Sequence, residues 1–179
     1  MQYFIGIVPS EEDIKKIMKF QLQWENNELP NVVEPHITVK AQGGLTSDMD
    51  WLKDVEKVCE DTTPFKLKLS KVDFFGENVL FLSVESRELY KLHKEIVNAV
   101  SPEKDLIKKY MELDDYFPHL TLGQTHWGLS REELRDMAEL TEEKLSPYPT
   151  INVDSLRVYQ EIEPNKYVKY LDIHLNKER

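Results

Sequence analysis

The chain has 179 residues, enough for one domain with a substantial core. Hydrophobic residues at 40% and charged residues at 31% are ordinary for a globular protein, and no run approaches the ~20 apolar residues that span a bilayer. With 33 acidic against 23 basic residues the formal charge is −10, which argues against a general nucleic-acid-binding face but not against a local phosphate pocket.

Taken in chain order, the elements alternate between strand and helix. Residues 3–9 are aliphatic and aromatic and predict a strand; with no basic leader ahead of them and no small-residue cleavage site, they do not read as a signal peptide. Ser10 followed by Glu11, Glu12 and Asp13 is a helix start, and Ile14, Ile17, Met18 and Leu22 mark one face. An irregular stretch, 25–32, precedes a strand over 33–40. A helix follows over 47–60, carrying Cys59. As this is the only cysteine, no intrachain disulfide can form, and a cytoplasmic location is expected. Phe65 to Leu69 alternates, with Lys66 and Lys68 on the polar face of a strand. After a turn at Glu77-Asn78, residues 78–85 predict another strand and 86–100 a helix with Leu89, Leu92, Ile96 and Val100 in phase. A charged, irregular segment, 101–115, leads to a strand over 117–124. Ser130 and Glu133 form a capping box for a helix reaching about Lys144. Residues 150–160 and 166–175 alternate as two strands joined at Pro164-Asn165. The order repeats: about 1–85 and 78–179 are pseudo-repeats within one unit, an α+β protein of two lobes.

One pattern stands out against this frame. Pro35-His36-Ile37-Thr38-Val39 and Pro118-His119-Leu120-Thr121-Leu122 occupy equivalent strands of the two repeats. In a strand, residues i and i+2 share a face. Each segment therefore presents an imidazole and a hydroxyl together while its aliphatics enter the core. With 5 histidines and 8 threonines in the chain, chance predicts about 0.2 His-x-Thr matches, whereas two are present in matching contexts. Imidazole titrates near about pH 6.5, so one ring can accept a proton from an attacking water while the other gives one to a leaving alkoxide. Threonine hydroxyls and the imidazolium suit non-bridging phosphate oxygens. No metal is needed for this chemistry, and the chain has no His-Glu-x-x-His, cysteine pair, Gly-x-Ser-x-Gly or glycine-rich phosphate loop.

These paired motifs resemble the 2H phosphoesterase superfamily, which includes the 2′-5′ RNA ligase-like cyclic phosphodiesterases, and the similarity extends over nearly the whole chain. The length and the Pro-His-x-Thr-x-Gly-Gln form of the second motif look most similar to an uncharacterised bacterial branch of phosphoesterases. The resemblance implies a bilobal, pseudo-two-fold α+β fold, with two antiparallel sheets flanking a central cleft and helices outside. It implies His36 as proton donor and His119 as proton acceptor, with Thr38 and Thr121 as phosphate-binding residues and no cofactor or metal. The expected reaction is hydrolysis of a phosphodiester, a 2′,3′-cyclic phosphate of an RNA end or nucleotide. The alternatives are 2′-5′ phosphodiesterase or ligase activity, or non-catalytic binding of terminal phosphates. The expected partner is a small nucleotide or RNA end, with no membrane.

Other residues carry weaker signals. Lys40 continues the His36 and Thr38 face and is a tentative substrate contact or a solvated strand end. Gly123, at the matching place on the second strand, leaves room for a ligand or ends the strand. Arg157 and Tyr159 share a strand face that lines the cleft or meets solvent. His93 and His174 read as surface residues and His126 as a loop residue.

Overall fold

The computed structural model describes residues 1–176 and is an α+β arrangement of eight strands and six α-helices. In chain order these are β1 (Tyr3–Ile7), α1 (Glu11–Gln21), α2 (Leu29–Val32), β2 (Ile37–Lys40), α3 (Leu52–Asp61), β3 (Phe65–Phe75), β4 (Val79–Glu85), α4 (Arg87–Val100), α5 (Lys104–Lys109), β5 (His119–Gln124), α6 (Arg131–Leu145), β6 (Thr150–Val153), β7 (Ser155–Glu163) and β8 (Lys166–His174). Three helix starts are set by serine side chains. Ser10 accepts from the Asp13 amide at 3.1 Å and Ser86 from the Leu89 amide at 3.1 Å. Ser130 makes the full capping box: its hydroxyl accepts from the Glu133 amide while its own amide donates to the Glu133 carboxylate at 2.7 Å.

Two expected boundaries move for one reason. The strands expected from residues 33 and 117 begin at Ile37 and His119, just past Pro35 and Pro118. Proline has no N–H for a ladder, so Pro35 and Pro118 delay pairing. The helix expected from residue 47 starts at Leu52, because Met49 sits at φ 61° and Asp48 accepts from the Asp50 amide in a turn. The irregular stretches 25–32 and 101–115 contain α2 and α5, each too short to show helical periodicity. The run 150–160 breaks at Asp154, so β6 and β7 lie in distant parts of the sheet rather than in one strand.

The sheet corrects a larger expectation. Instead of two sheets flanking a cleft, all eight strands join in a single antiparallel sheet of order β6-β3-β4-β5-β2-β1-β7-β8. Four strands lie on either side of a short seam, where β2 meets β5 with Ile37 opposite Leu120. The physical reason is edge protection: two separate sheets would leave the seam-facing N–H and C=O groups of both motif strands unpaired. The core lies on the helical face. Ile37, Val39, Leu120 and Leu122 are all fully buried, with α4 against β2 and α1 against β5.

Gly123 serves this packing. A Cβ there would meet Leu129 Cδ1 at 2.6 Å, Leu134 Cδ2 at 3.1 Å and Met137 Sδ at 3.1 Å. The missing side chain makes room for α6 and the turn before it, not for a ligand. Gly123→Ala is expected to destabilise the fold by about 1–3 kcal/mol through overpacking, read as a lower urea midpoint at unchanged slope. An unchanged midpoint would show that α6 shifts freely.

Candidate active site

The seam places the two motifs side by side. In an antiparallel ladder with Ile37 opposite Leu120, the register sets His36 opposite Thr121 and Thr38 opposite His119. All four side chains lie on the face away from the buried Ile37, Val39, Leu120 and Leu122. Directly opposed Cβ atoms are about 4.5–5.5 Å apart and diagonal neighbours about 7–8 Å, which makes the two imidazoles near neighbours on one face of the seam. His36 and Thr121 line one recess, with Glu34 and Gln21. Thr38 and His119 line a larger cavity of about 370 Å³. All four are half-buried, as groups that hold a fixed geometry and still meet a ligand must be.

The backbone fixes both tautomers. His36 Nδ1 lies 2.8 Å from the Glu34 carbonyl and His119 Nδ1 lies 2.7 Å from the Phe117 carbonyl. A carbonyl only accepts, so each Nδ1 carries the proton and donates. Each neutral ring therefore has an unprotonated Nε2 left for chemistry. Burial lowers the pKa of both rings below the usual histidine value; the Glu34 and Phe117 carbonyls oppose the shift, and for His36 the nearby His119 adds to it. The surroundings explain the desolvation. His36 has Phe4 at 5.0 Å and Tyr159 at 5.5 Å between ring centroids; His119 has Phe75 at 4.9 Å and Phe81 at 5.2 Å.

The two histidines differ in what stands behind them. The Glu34 carboxylate accepts from Arg157 Nη1 at 2.7 Å and from the Tyr159 hydroxyl at 2.8 Å. Arg157 also donates to Asp172, through Nε at 2.8 Å and Nη2 at 3.2 Å, and Lys169 pairs with the same carboxylate at 2.6 Å. Tyr159 is buried and stacks on Phe4 at 4.5 Å. Arg157 and Tyr159 thus neither face bulk solvent nor line the recess; they hold the segment whose carbonyl orients His36. At the same position before His119 stands Phe117, which has no carboxylate. The sequence does carry this signal, Glu-Pro-His against Phe-Pro-His, but Glu34 acquires meaning only once its partners on β7 are known.

Three residues lie where the alternation of side chains did not put them. Lys40 does not offer its ammonium to the site. It is fully buried, and its three protons go to the Ala41 carbonyl, the Gly43 carbonyl and Glu112 Oε1, the last at 2.7 Å. The tentative substrate contact is therefore replaced by a buried ion pair, formed because 105–116 folds back over the end of β2. His93 is buried, not on the surface. Its Nδ1 donates to the Val39 carbonyl at 2.6 Å, its Nε2 accepts from the Leu113 amide at 2.8 Å, and its ring stacks on Tyr116 at 3.6 Å. Glu112 is likewise buried and gave no sequence signal at all. His126 and His174 are exposed. Cys59 is buried, its thiol pushed up to about 12 by burial, which leaves it inert.

Among the described residues no three His, Cys, Asp or Glu side chains converge as a metal cage. None of the described helices is long and apolar enough to cross a membrane.

Comparison with known proteins adds an independent line. The 2′-5′ RNA ligase superfamily model matches residues 9–164, well over half of the chain. A protein of Methanocaldococcus jannaschii named RNA 2′,3′-cyclic phosphodiesterase is 29% identical over 145 residues, which cover 78% of this chain and 80% of that protein. Among solved structures, TT0787 of Thermus thermophilus superposes with a TM-score of 0.66 at 16% identity, over the full length of both chains. LigT of E. coli, crystallised with 3′-AMP, superposes with a TM-score of 0.60 at 14% identity, over 98% of each. These two similarities are of fold, whereas the family model matches the sequence itself, both motifs included. On that match the chain belongs to the 2′-5′ RNA ligase superfamily, the 2H phosphoesterases.

Proposed function

We propose that this protein hydrolyses a phosphodiester, specifically a 2′,3′-cyclic phosphate of an RNA end or nucleotide, by acid–base catalysis between His36 and His119. The observation that carries the reading is the pairing of Ile37 with Leu120 across the seam, a register that sets His36 opposite Thr121 and Thr38 opposite His119, with both Nε2 atoms unprotonated in the neutral rings. The homologue's name supports the substrate class. The neutral ring of His119 takes a proton from water as its oxygen bonds to phosphorus. The bond from phosphorus to one ribose oxygen breaks, and the imidazolium of His36 gives that oxygen its proton. The product is a phosphomonoester, and the two rings then exchange protons with solvent to reset. Thr38 and Thr121 donate to the non-bridging oxygens. Both rings are desolvated by aromatic neighbours, but the Glu34 carboxylate near His36 raises that ring's pKa, a contribution that His119 lacks, and this favours His36 as the charged one. The chain acts as a single unit in this scheme, since each pseudo-repeat supplies one motif. With a ribose 5′-hydroxyl in place of water, the same pair would form a 2′-5′ linkage as the bond from phosphorus to the 3′ oxygen breaks and that oxygen takes the proton.

The test is turnover of nucleoside 2′,3′-cyclic phosphates with EDTA present, with the product identified as the 2′- or 3′-monophosphate. Metal-free turnover is expected. Activity that disappears with chelator and returns with a divalent ion would sink the mechanism and make the histidines candidate ligands.

The pH profile follows from the same pair. Below their depressed pKa values both rings are charged; above them both are neutral; only the singly protonated pair works. Because burial lowers both values, kcat/KM should be bell-shaped with its maximum below about pH 6.5. The profile of kcat should lie at higher pH, because a bound phosphate anion favours the imidazolium. A kcat/KM maximum well above neutrality would contradict this.

A further inference from the structure

The segment 101–117 carries α5, folds back over the end of β2 and leads into His119. None of its apolar side chains is fully buried; within it only Glu112 is. Polar groups hold it instead. Glu112 pairs with Lys40 at 2.7 Å, the Tyr116 hydroxyl donates to the Thr38 carbonyl at 2.8 Å, and the Leu113 amide donates to His93 Nε2 at 2.8 Å. Met111 at φ 53° and Leu113 at φ 59° are left-handed without being glycine, so the closed segment is strained where His93 grips it. Segments with few buried apolar contacts are the ones that open locally before a protein unfolds.

His93, buried on α4, stands at the centre of this hold. Its Nδ1 donates to the Val39 carbonyl of β2 at 2.6 Å, its Nε2 accepts from Leu113, and its ring stacks on Tyr116 at 3.6 Å. Only the neutral ring with its proton on Nδ1 can make both bonds. In the imidazolium Nε2 is a donor as well, and two N–H groups would face each other. The neighbours do not favour a cation. The Lys40 ammonium of β2 repels one, Glu112 is already paired with Lys40, and Asp115 on the cavity wall is exposed. Tyr116, with Tyr90 edge-on to it, is a neutral neighbour, and His119 lines the same cavity. Burial lowers the His93 pKa; the Val39 carbonyl opposes the shift and Lys40 adds to it.

We infer that His93 is a positioning residue that latches segment 101–117 over β2 only while its imidazole is neutral, so that its protonation opens the segment and disarms the candidate site. Opening frees Tyr116 from the Thr38 carbonyl and loosens Phe117, whose carbonyl orients His119. That consequence rests on the two-histidine reading; the opening itself does not. The sign follows from linkage. Once exposed, His93 returns toward its ordinary pKa of about 6.5, so the open arrangement binds the proton more tightly than the closed one. The open share therefore grows as pH falls from about 6.5 to the depressed value, by up to about tenfold per pH unit, and is constant above about pH 7.

The experiment is amide hydrogen exchange followed by NMR from about pH 5 to about pH 8, with each rate corrected for its intrinsic pH dependence. In the unaltered protein, protection of the Leu113 amide should fall by up to about tenfold per pH unit below about pH 6.5. Leu82, in the middle of β4, should stay far better protected, because its amide is exposed only by global unfolding. In His93→Gln the side-chain carbonyl reaches the place of Nε2 and accepts from Leu113 without titrating, so the slope should vanish. His119→Ala should leave the slope in place. Protection at Leu113 that is flat below pH 6.5 in the unaltered protein would overturn the inference, whether or not the variant folds. Protection at Leu113 equal to that at Leu82, or a slope that persists in His93→Gln, would overturn it as well. None of these measurements uses a substrate, so they stand whichever way the phosphodiester assay falls.

Discussion

Replacing His36 or His119 with alanine is expected to lower kcat/KM on the true substrate by about 10²–10⁴-fold without unfolding the protein, the range in which removal of a general acid or base falls. The fold should survive because both rings are half-buried on the face away from the core, and neither bridges elements through its side chain beyond a short link to a carbonyl two residues back. The losses should not add. Acid and base act in one step, so once one is gone the other has no partner, and the double variant should resemble the worse single one. Each single variant should also lose one limb of the bell-shaped pH profile, because only one titrating ring remains. Thr38→Ala and Thr121→Ala each remove one hydrogen bond to phosphate and should cost nearer tenfold. Steady-state rates with thermal melts as a fold control check the set. Near-normal turnover by either histidine variant, with its fold intact, would falsify the two-histidine mechanism.

The second large effect concerns stability. Lys40→Ala is expected to destabilise the protein by about 3–5 kcal/mol at neutral pH, because it strands a buried carboxylate. Lys40 and Glu112 are both out of solvent, and burial already drives the ammonium pKa down and the carboxyl pKa up despite their mutual contact. The pair therefore adds little net stability, whereas half of it is a liability. Without Lys40, only the Ala41 amide still donates to Glu112, and its folded pKa should rise further above the unfolded value of about 4.3. A group that binds its proton more tightly when folded makes unfolding easier as pH rises. The deficit should therefore be largest near pH 7 and shrink as pH falls toward about 4–5. Lys40→Met combined with Glu112→Leu, which removes both charges at similar volume, should recover most of the loss. Urea denaturation at several pH values tests this; a deficit that grows on acidification would refute the account.

Local features were legible because their causes are local. The serine caps at Ser10, Ser86 and Ser130, the alternation through Leu67 and Leu69, and the duplicated Pro-His-x-Thr strands all rest on contacts within a few residues. The side-chain pairs of the candidate site were legible for the same reason: strand periodicity alone puts His36 with Thr38 and His119 with Thr121. What tertiary structure decided were the long-range partners. Strand pairing joined β2 to β5, making one sheet of an expected two and setting His36 opposite Thr121. Chain return placed Glu112, 72 residues away, against Lys40, and turned a tentative substrate contact into a buried pair. Arg157 and Tyr159 came to Glu34 from more than 120 residues further along the chain. Burial of His93 likewise depended on the Val39 carbonyl, 54 residues back. The amino-acid sequence thus determined which imidazoles and hydroxyls share a strand face. Packing between distant segments determined their neighbours, their charge state and the shape of the space beside them, because desolvation and hydrogen-bond partners belong to the folded arrangement and not to the order of residues.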